Sequence, residues 1–225
     1  MRKKRHLEER LSDVGEILIA LESEDKNFKT GIEQKEYLDF SKIFGNDNPV
    51  FLEIGCGKGK FATTYAKTHP CINLVAIEKE SNVIVSACES AIKQDVKNIV
   101  FIKTSAEYLE KYIRPDSISG IFLNFSCPYP KKRYASHRLT SENFLRIYKT
   151  ILKSGAEIHQ KTDNAGLFEF SIEEFSRMGF ALKNVSLDLH KTDFEESDEN
   201  IITEYEQRFM SLGQPIYRLE AYLKG

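Results

Sequence analysis

The 225-residue sequence lacks features that mark membrane-anchored, secreted and zinc-stabilised proteins. No apolar run approaches the roughly 18–20 residues that span a bilayer. No apolar segment follows the basic residues 2–5, so we expect no secretory signal. The four cysteines form no C-x-x-C pair, which gives a zinc site little support. We therefore expect a cytoplasmic protein with reduced thiols, no membrane association and no metal.

The sequence also lacks a strong net charge, since its formal charge is only −2. Nucleic-acid binding depends on local patches rather than on the total charge. Two basic clusters are present: residues 2–6, and Lys131, Lys132 and Arg133 followed by His137 and Arg138. Either cluster can be read as a solvated surface or as a contact for phosphates.

Strand and helix patterns alternate along the chain, and there is no internal repeat or low-complexity tract. Residues 6–24 have an apolar face at helical spacing, residues 30–44 are helix or loop, and residues 45–49 form a polar turn. Strands are predicted at 50–54, 74–78, 99–102, 118–125 and 157–162, and helices near 58–68, 81–94, 106–112, 140–153 and 165–178. This order predicts an α/β domain at 45–225, with a mostly parallel sheet and helices on both faces, after an N-terminal helical extension at 1–44.

A glycine-rich turn follows the first predicted strand, with Gly55, Gly57 and Gly59 at alternate positions. Glycines there permit a tight turn and close approach of the backbone to a ligand, although a plain strand-to-helix turn has the same pattern. Glu78 ends the second strand, where a carboxylate can accept the two ribose hydroxyls of a nucleoside. Glu53 lies inside an apolar strand, where a carboxylate is costly unless it is paired.

Ser105 lies just beyond the third predicted strand, where its hydroxyl can reach the adenine end of a bound nucleoside. Thr104 and Glu107 have the spacing of a capping box, which places Ser105 in the first helical turn. The two interpretations are compatible, because a capped turn leaves the Ser105 hydroxyl free.

The most specific segment follows the fourth strand and reads Asn124-Phe125-Ser126-Cys127-Pro128-Tyr129-Pro130-Lys131-Lys132-Arg133. Its two prolines predict a rigid extended loop. Tyr129 can stack on a base or pack against the core. The cations after it suit phosphate or base contacts, and a solvated charged tip is the alternative.

These segments together resemble the bacterial tRNA (guanine-N7)-methyltransferases, which are class I S-adenosylmethionine-dependent enzymes. The E-x-G-x-G-x-G segment is similar to the first motif of that class, and the post-strand loop resembles the family's F-x-D-P-W-P-K-K-R-H. The resemblance runs from about residue 45 to the C-terminus and includes residues 162–164, 203–206 and 213–217. It implies a Rossmann-like domain with a seven-stranded sheet, in which residues 216–223 form an antiparallel strand.

The resemblance also implies a role for each matching position. The methyl donor, S-adenosylmethionine, is expected to contact Glu53, Gly55, Gly57, Gly59, Glu78, Ser105, Asn124 and Cys127. The guanosine or nearby tRNA is expected to contact Lys131, Lys132, Arg133, Asp163, Thr203 and Glu206. Carboxylates such as Asp163 and Glu206 can accept the N1–H and exocyclic amine of guanine; a surface acid is the alternative for each. The family members are monomers or homodimers.

The sequence departs from the family at two positions of the loop. Cys127 stands where the family has an aspartate regarded as donor-binding or catalytic, and Tyr129 replaces its tryptophan. The main hypothesis is therefore an active tRNA guanine-N7 methyltransferase. The alternatives are a tRNA-binding homologue whose catalysis is impaired, a methyltransferase of another substrate and, least favoured, a nicotinamide-dependent dehydrogenase.

Overall fold

The computed structural model describes residues 5–21, 34–192 and 200–224 of the chain. The chain divides into two units, residues 1–114 and residues 115–225. The described part of the N-terminal extension packs with the first unit, and the boundary at residue 45 stays a prediction.

The described residues of the first unit, 5–21 and 34–114, contain four parallel strands. They are β1 (Leu18–Ala20), β2 (Val50–Ile54), β3 (Asn73–Glu78) and β4 (Ile99–Lys103). Their order is β1-β4-β3-β2. Leu74 to Ile77 of β3 are at most 1% exposed, as the continuous apolar run of a strand covered on both faces requires.

Helices connect these strands as the alternating pattern predicts. They are α1 (Leu7–Asp13), α2 (Phe40–Phe44), α3 (Lys60–Thr68), α4 (Ser81–Lys93), a 3-10 turn (Ala106–Tyr108) and α5 (Leu109–Tyr112). Helix α3 follows β2 and α4 follows β3, so each glycine or acidic residue at a strand end lies at the start of a crossover. The buried side chains of α3 and α4 join one core with β3 and β4.

The predicted helix over residues 6–24 is wrong beyond Asp13. Residues 14–17 form turns, and Leu18–Ala20 form β1, which pairs with Phe101–Lys103 of β4. The apolar spacing fits a helix, but hydrogen bonding to β4 decides the conformation, which is a tertiary effect. Arg10 of α1 donates to both carboxylate oxygens of Glu89 in α4, at 2.7 and 2.6 Å. Residues 22–24 of this prediction lie outside the described residues.

The second unit also contains four strands in its described residues. They are β5 (Ile118–Asn124), β6 (Leu152–Thr162), β7 (Phe180–Ser186) and β8 (Tyr217–Leu223). Their order is β5-β6-β8-β7, with β5 parallel to β6, and β8 antiparallel to both β6 and β7. The expected antiparallel strand at 216–223 is thus confirmed. The described residues hold eight strands rather than seven, and the additional one is β1.

The helices of the second unit are α6 (Glu142–Ile151), α7 (Ala165–Arg177) and α8 (Glu204–Ser211), with 3-10 turns at Lys132–His137 and Leu189–Lys191. Successive side chains of a strand point to opposite faces of its sheet. On one face of β6 and β8, Gln160 and Leu219 are buried, and Gln160 Nε2 donates to Ser171 of α7 at 2.9 Å. On the other face lie charged residues, including Lys161 and Glu220. No helix among the described residues is long and apolar enough to cross a membrane.

Candidate active site

The glycine turn after β2 has the open, left-handed backbone that its sequence predicts. Gly55, Gly57 and Gly59 have φ angles of 80°, 57° and 76°. A Cβ added at Gly57 meets no atom within 4 Å, whereas one at Gly59 lies 2.7 Å from the Cβ of Ala87 in α4. Gly57 therefore borders free space that a ligand can enter, and Gly59 permits close packing of the turn against α4. The donor contacts expected of Gly55, Gly57 and Gly59 stay predictions.

Glu78 at the end of β3 is joined to the glycine turn through hydrogen bonds. One carboxylate oxygen accepts the backbone N–H groups of Lys79 and Glu80 at 2.8 and 3.0 Å. The other oxygen accepts the N–H of Gly57 at 3.3 Å. Three backbone donors thus fix the carboxylate, and the oxygen with the single long bond retains capacity for hydroxyl donors.

Two carboxylates, those of Glu53 and Glu78, create a negative electrostatic potential around Cys56. Glu53 is only 2% exposed. Burial raises the pKa of the Cys56 thiol well above its usual value, and the charges of Glu53 and Glu78 raise it further. Cys56 is therefore a neutral thiol and not a nucleophile. An acidic environment suits a ligand with sulfonium and ammonium groups and disfavours a pyrophosphate.

The expected capping box of Thr104 and Glu107 is wrong. Ser105, not Thr104, is the N-cap of the 3-10 turn, and its Oγ donates to the Glu107 carboxylate. The Thr104 hydroxyl is buried without a hydrogen-bond partner in the described structure. Ser105 itself is partly exposed, just beyond β4. Ser105 is therefore the residue that precedes the turn, whereas the sequence pattern placed it in the first turn.

The post-strand loop of the second unit begins at Asn124, which is 9% exposed. Phe125 and Tyr129 adopt left-handed backbone, with φ of 50° and 40°. The N–H of Phe125 donates to the carbonyl of Lys161 in β6 at 2.9 Å. Cys127 is exposed. The loop thus has left-handed backbone at Phe125 and Tyr129, on either side of Pro128. Cys127, which stands where the family has an aspartate, lies on the surface of the loop.

The cations of the loop differ in their surroundings. Lys131, Lys132 and Arg133 are exposed, and no ion pair of the described residues involves them. Arg133 lies over the ring of Tyr134 at 4.8 Å. His137 lies between two tyrosine rings, with centroids 5.7 Å from Tyr129 and 6.1 Å from Tyr134. Alternating cations and rings on an exposed segment are suited to phosphates and unpaired bases.

Asp163 follows β6 directly and is partly exposed. Its neighbours serve the local structure: Asn164 caps α7 by accepting the N–H of Leu167 at 2.8 Å, and the Thr162 hydroxyl accepts the N–H of Asn164 at 3.1 Å. No hydrogen bond or ion pair of the described residues uses the Asp163 carboxylate. It remains available to a ligand with N–H donors.

Thr203 and Glu206 form a capping box at the start of α8. Thr203 Oγ1 accepts the N–H of Glu206 at 2.9 Å, and Glu206 accepts the N–H of Thr203 at 3.3 Å. Glu206 is fully buried, which excludes the interpretation as a surface acid. Lys161 Nζ lies 3.2 Å from one of its oxygens, and His190 Nε2 lies 3.5 Å from the other. The Glu206 carboxylate is thus engaged by Lys161 and by the N–H of Thr203, and its contact with guanosine stays a prediction.

Lys161 and Phe125 lie against α8, beside the predicted substrate residue Glu206. Burial lowers the pKa of Lys161, and the charge of Glu206 partly opposes that effect. Phe125 stacks against Tyr205 and Phe209 of α8, with ring centroids at 6.2 and 6.1 Å. Phe125 is the first residue of the loop segment that resembles the family motif, whereas no sequence pattern marked Lys161.

Glu157, His159 and Glu220 bring possible metal ligands within 4.8 Å of one another on β6 and β8. Lys183 pairs with both carboxylates, and Arg218 donates to Glu220. The two cations already balance the negative charge, so this group is a structural ion-pair network.

Comparison with known proteins agrees with this geometry. The model of a family described as "Putative methyltransferase" matches residues 47–219. A tRNA (guanine-N(7)-)-methyltransferase of Listeria monocytogenes serotype 4b (strain F2365) is 49% identical over 180 residues, which are 80% of this chain and 83% of that protein. The protein of the same name from Bacillus subtilis (strain 168) is 44% identical over 181 residues, covering 80% and 84%.

Among solved structures, a 30S ribosomal A1408 methyltransferase from an uncultured bacterium aligns with a TM-score of 0.58 at 15% identity. The alignment covers 84% of this chain and 96% of that one. The fold and the glycine–carboxylate turn define a class I S-adenosylmethionine-dependent methyltransferase. The identity to the curated relatives is high enough to go further: the chain belongs to the tRNA (guanine-N7)-methyltransferase family.

Proposed function

We propose that the protein transfers the methyl group of S-adenosylmethionine to N7 of a guanosine in tRNA. The observation that carries the proposal is the Glu78 carboxylate, fixed by Gly57, Lys79 and Glu80 beside an open turn, in a chain 49% identical to a named tRNA methyltransferase. By family resemblance the guanosine is in the variable loop. We further propose a cytoplasmic enzyme that acts as a monomer or homodimer.

The first unit supplies the groups for the donor. Glu78 accepts the ribose hydroxyls, and the backbone at Gly55 and Gly57 approaches the donor closely because no side chain fills that space. Glu53 provides negative charge for the amino-acid tail and sulfonium. Ser105 contacts the adenine end. By family resemblance, Asn124 and Cys127 are also expected to contact the donor.

The second unit supplies the groups for the tRNA. Asp163 accepts the N1–H and exocyclic amine of guanine, because its carboxylate has no partner among the described residues. Lys131, Lys132 and Arg133 contact phosphates, and Tyr134 and His137 offer ring surfaces to unpaired bases. By family resemblance Thr203 and Glu206 contact the guanosine or nearby tRNA. Their capping box also holds α8 and thereby the rings that pack against Phe125.

The chemistry does not require a general base. N7 of guanine has an in-plane lone pair and loses no proton when it is methylated. Catalysis then consists of in-line positioning and of stabilising the charge that moves from sulfur to the purine. Cys127 in place of the family aspartate removes one carboxylate without removing a required proton acceptor.

Cys127 also motivates a second candidate, a tRNA-binding homologue with impaired catalysis. One assay separates the two. Purified protein is incubated with labelled S-adenosylmethionine and an unmodified tRNA transcript, and the methylated nucleosides are identified. The proposed function predicts 7-methylguanosine from the wild type, at least a hundredfold less from Glu78→Ala, and an unchanged amount from the exposed neighbour Glu80→Ala.

Absence of product despite binding of both ligands rejects the main proposal and favours the impaired homologue. In that case Cys127→Asp is expected to restore turnover. Absence of tRNA binding rejects both candidates and favours a methyltransferase of another substrate.

A further inference from the structure

Arg138 follows the 3-10 turn at Lys132–His137, is partly buried and packs against the post-strand loop. Its Nε–H donates to the carbonyl of Pro128 at 3.0 Å, and its Nη2 donates to the carbonyl of Tyr129 at 3.0 Å. Its Cζ lies 4.3 Å from the ring centroid of Phe170 in α7. A planar guanidinium makes two such bonds at fixed angles while one face stacks on a ring. These contacts connect the loop to the helix that follows β6.

The loop needs donors from outside its own backbone. Pro128 and Pro130 have no N–H, so the segment can satisfy few of its own carbonyls. Tyr129, between them, has a φ of 40°, a conformation that is strained for a non-glycine residue and persists only when its surroundings enforce it. The two hydrogen bonds from Arg138 end on the carbonyls on either side of that strained φ angle.

We infer that Arg138 is a positioning residue, which holds the loop that presents Cys127 and Lys131, and is not a phosphate contact. Its charge is directed at peptide carbonyls and the Phe170 ring, unlike the exposed charges of Lys132 and Arg133. The kinetic consequences rest on the proposed function, because they are measured as methyl transfer.

Substitutions at Arg138 separate positioning from charge. Arg138→Lys keeps the positive charge but loses the planar guanidinium that donates two hydrogen bonds. Arg138→Met loses both the charge and the guanidinium. Positioning predicts that kcat falls about tenfold or more in both variants, because small misplacements of reacting groups are costly. The tRNA KM and its dependence on salt stay as in the wild type.

Two further variants calibrate the measurement. Lys132→Ala removes a proposed phosphate contact, so it is expected to raise the KM and to lower the slope of log affinity against log salt by roughly 0.7–0.9. Arg146→Lys changes an exposed arginine of α6 and is expected to alter none of these quantities. If Arg138→Lys retains full kcat while Arg138→Met lowers the salt slope like Lys132→Ala, the inference is overturned in favour of a phosphate contact.

A measurement on the ligand-free protein keeps the inference independent of activity. Amide hydrogen exchange within residues 125–134 is expected to accelerate in Arg138→Lys, while exchange in α6 and α7 stays unchanged. Phe170→Leu, which removes only the ring beneath the guanidinium, should accelerate it less. Unchanged exchange in Arg138→Lys overturns the inference. A wild type without methyl transfer rejects the proposed function but leaves this result interpretable.

Discussion

The proposed donor site in the first unit and the proposed substrate site in the second rest on different kinds of contact. In the first unit, Gly57 and Glu78 are joined through backbone N–H groups, and the shape of the site is the shape of the main chain. In the second unit, side chains from the post-strand loop, β6 and α8 meet through ion pairs and ring contacts. A site that is shaped by the main chain tolerates changes of side chains but not of glycines. A site that is held by ion pairs and ring contacts depends on pairs of side chains.

The largest expected effect is on stability and concerns Lys161. Lys161→Met leaves Glu206 buried without its charged partner, and removing one member of a buried pair costs about 3–5 kcal/mol in the free energy of unfolding. Urea unfolding measures it. The double variant Lys161→Met/Glu206→Leu removes both charges and should recover most of the loss. Equal losses in the single and double variants contradict pairwise dependence in the second unit.

In the glycine turn the backbone, rather than a pair of side chains, should determine the effect of a substitution. Gly59 and Gly57 should differ in whether stability or donor binding suffers more. Gly59→Ala places its Cβ against Ala87 in a left-handed conformation, so we expect a loss of about 2–3 kcal/mol in unfolding. Gly57→Ala meets open space and should cost about 1 kcal/mol, yet weaken donor binding more. Calorimetric unfolding and titration with S-adenosylmethionine test both. A donor affinity that falls equally in the two variants removes the distinction between them.

Asp163 tests whether the second unit reads the base. Asp163→Asn should lower kcat/KM for tRNA by an amount equivalent to about 1–3 kcal/mol, because one oxygen acceptor becomes a donor facing guanine N–H groups. Unfolding should change little, since no partner of Asp163 is present among the described residues. Glu173→Gln, an exposed acid of α7, is the matched control. Steady-state methylation with both variants decides the point, and equal kcat/KM values reject the role.

The smallest effect concerns pH and the ion-pair network on β8. Burial alone raises the pKa of Glu220, but the hydrogen bond from His159 and the charge of Arg218 outweigh it and hold the pKa at about 2. A carboxyl with a depressed folded-state pKa stabilises the protein above the usual value near 4.5, and this contribution is lost as pH falls from there towards about 2. Glu220→Gln should therefore be less stable than wild type at pH 7, with the difference shrinking at pH 3. A constant difference across thermal melts at both values would reject this assignment.

The sequence predicted the first unit's site because its information is local. The glycines lie within five residues of one another, and Glu78 ends the adjacent parallel strand, so strand order alone brings them together. The position of Ser105 was close but the capping box was misplaced by one residue, since ends of short turns depend on side-chain competition.

The site residues of the second unit were predicted mainly through resemblance, and the contacts among their side chains were not predicted. Glu206 and Lys161 are 45 positions apart, and Arg138 meets Phe170 across 32 positions, so no local pattern predicts either contact. The helix predicted at 14–21 failed for the same reason, because pairing with β4 overrode its apolar periodicity.

The short strand β1 affects how the protein behaves among other proteins. Without β1, strand β4 would present a row of unpaired backbone groups, and such a row is a template for another chain in a crowded cell. The N-terminal segment occupies it with only three residues, Leu18–Ala20. A strand this short offers an approaching chain little edge to pair with. The N-terminal segment carries none of the proposed site residues, yet it protects the solubility of the first unit.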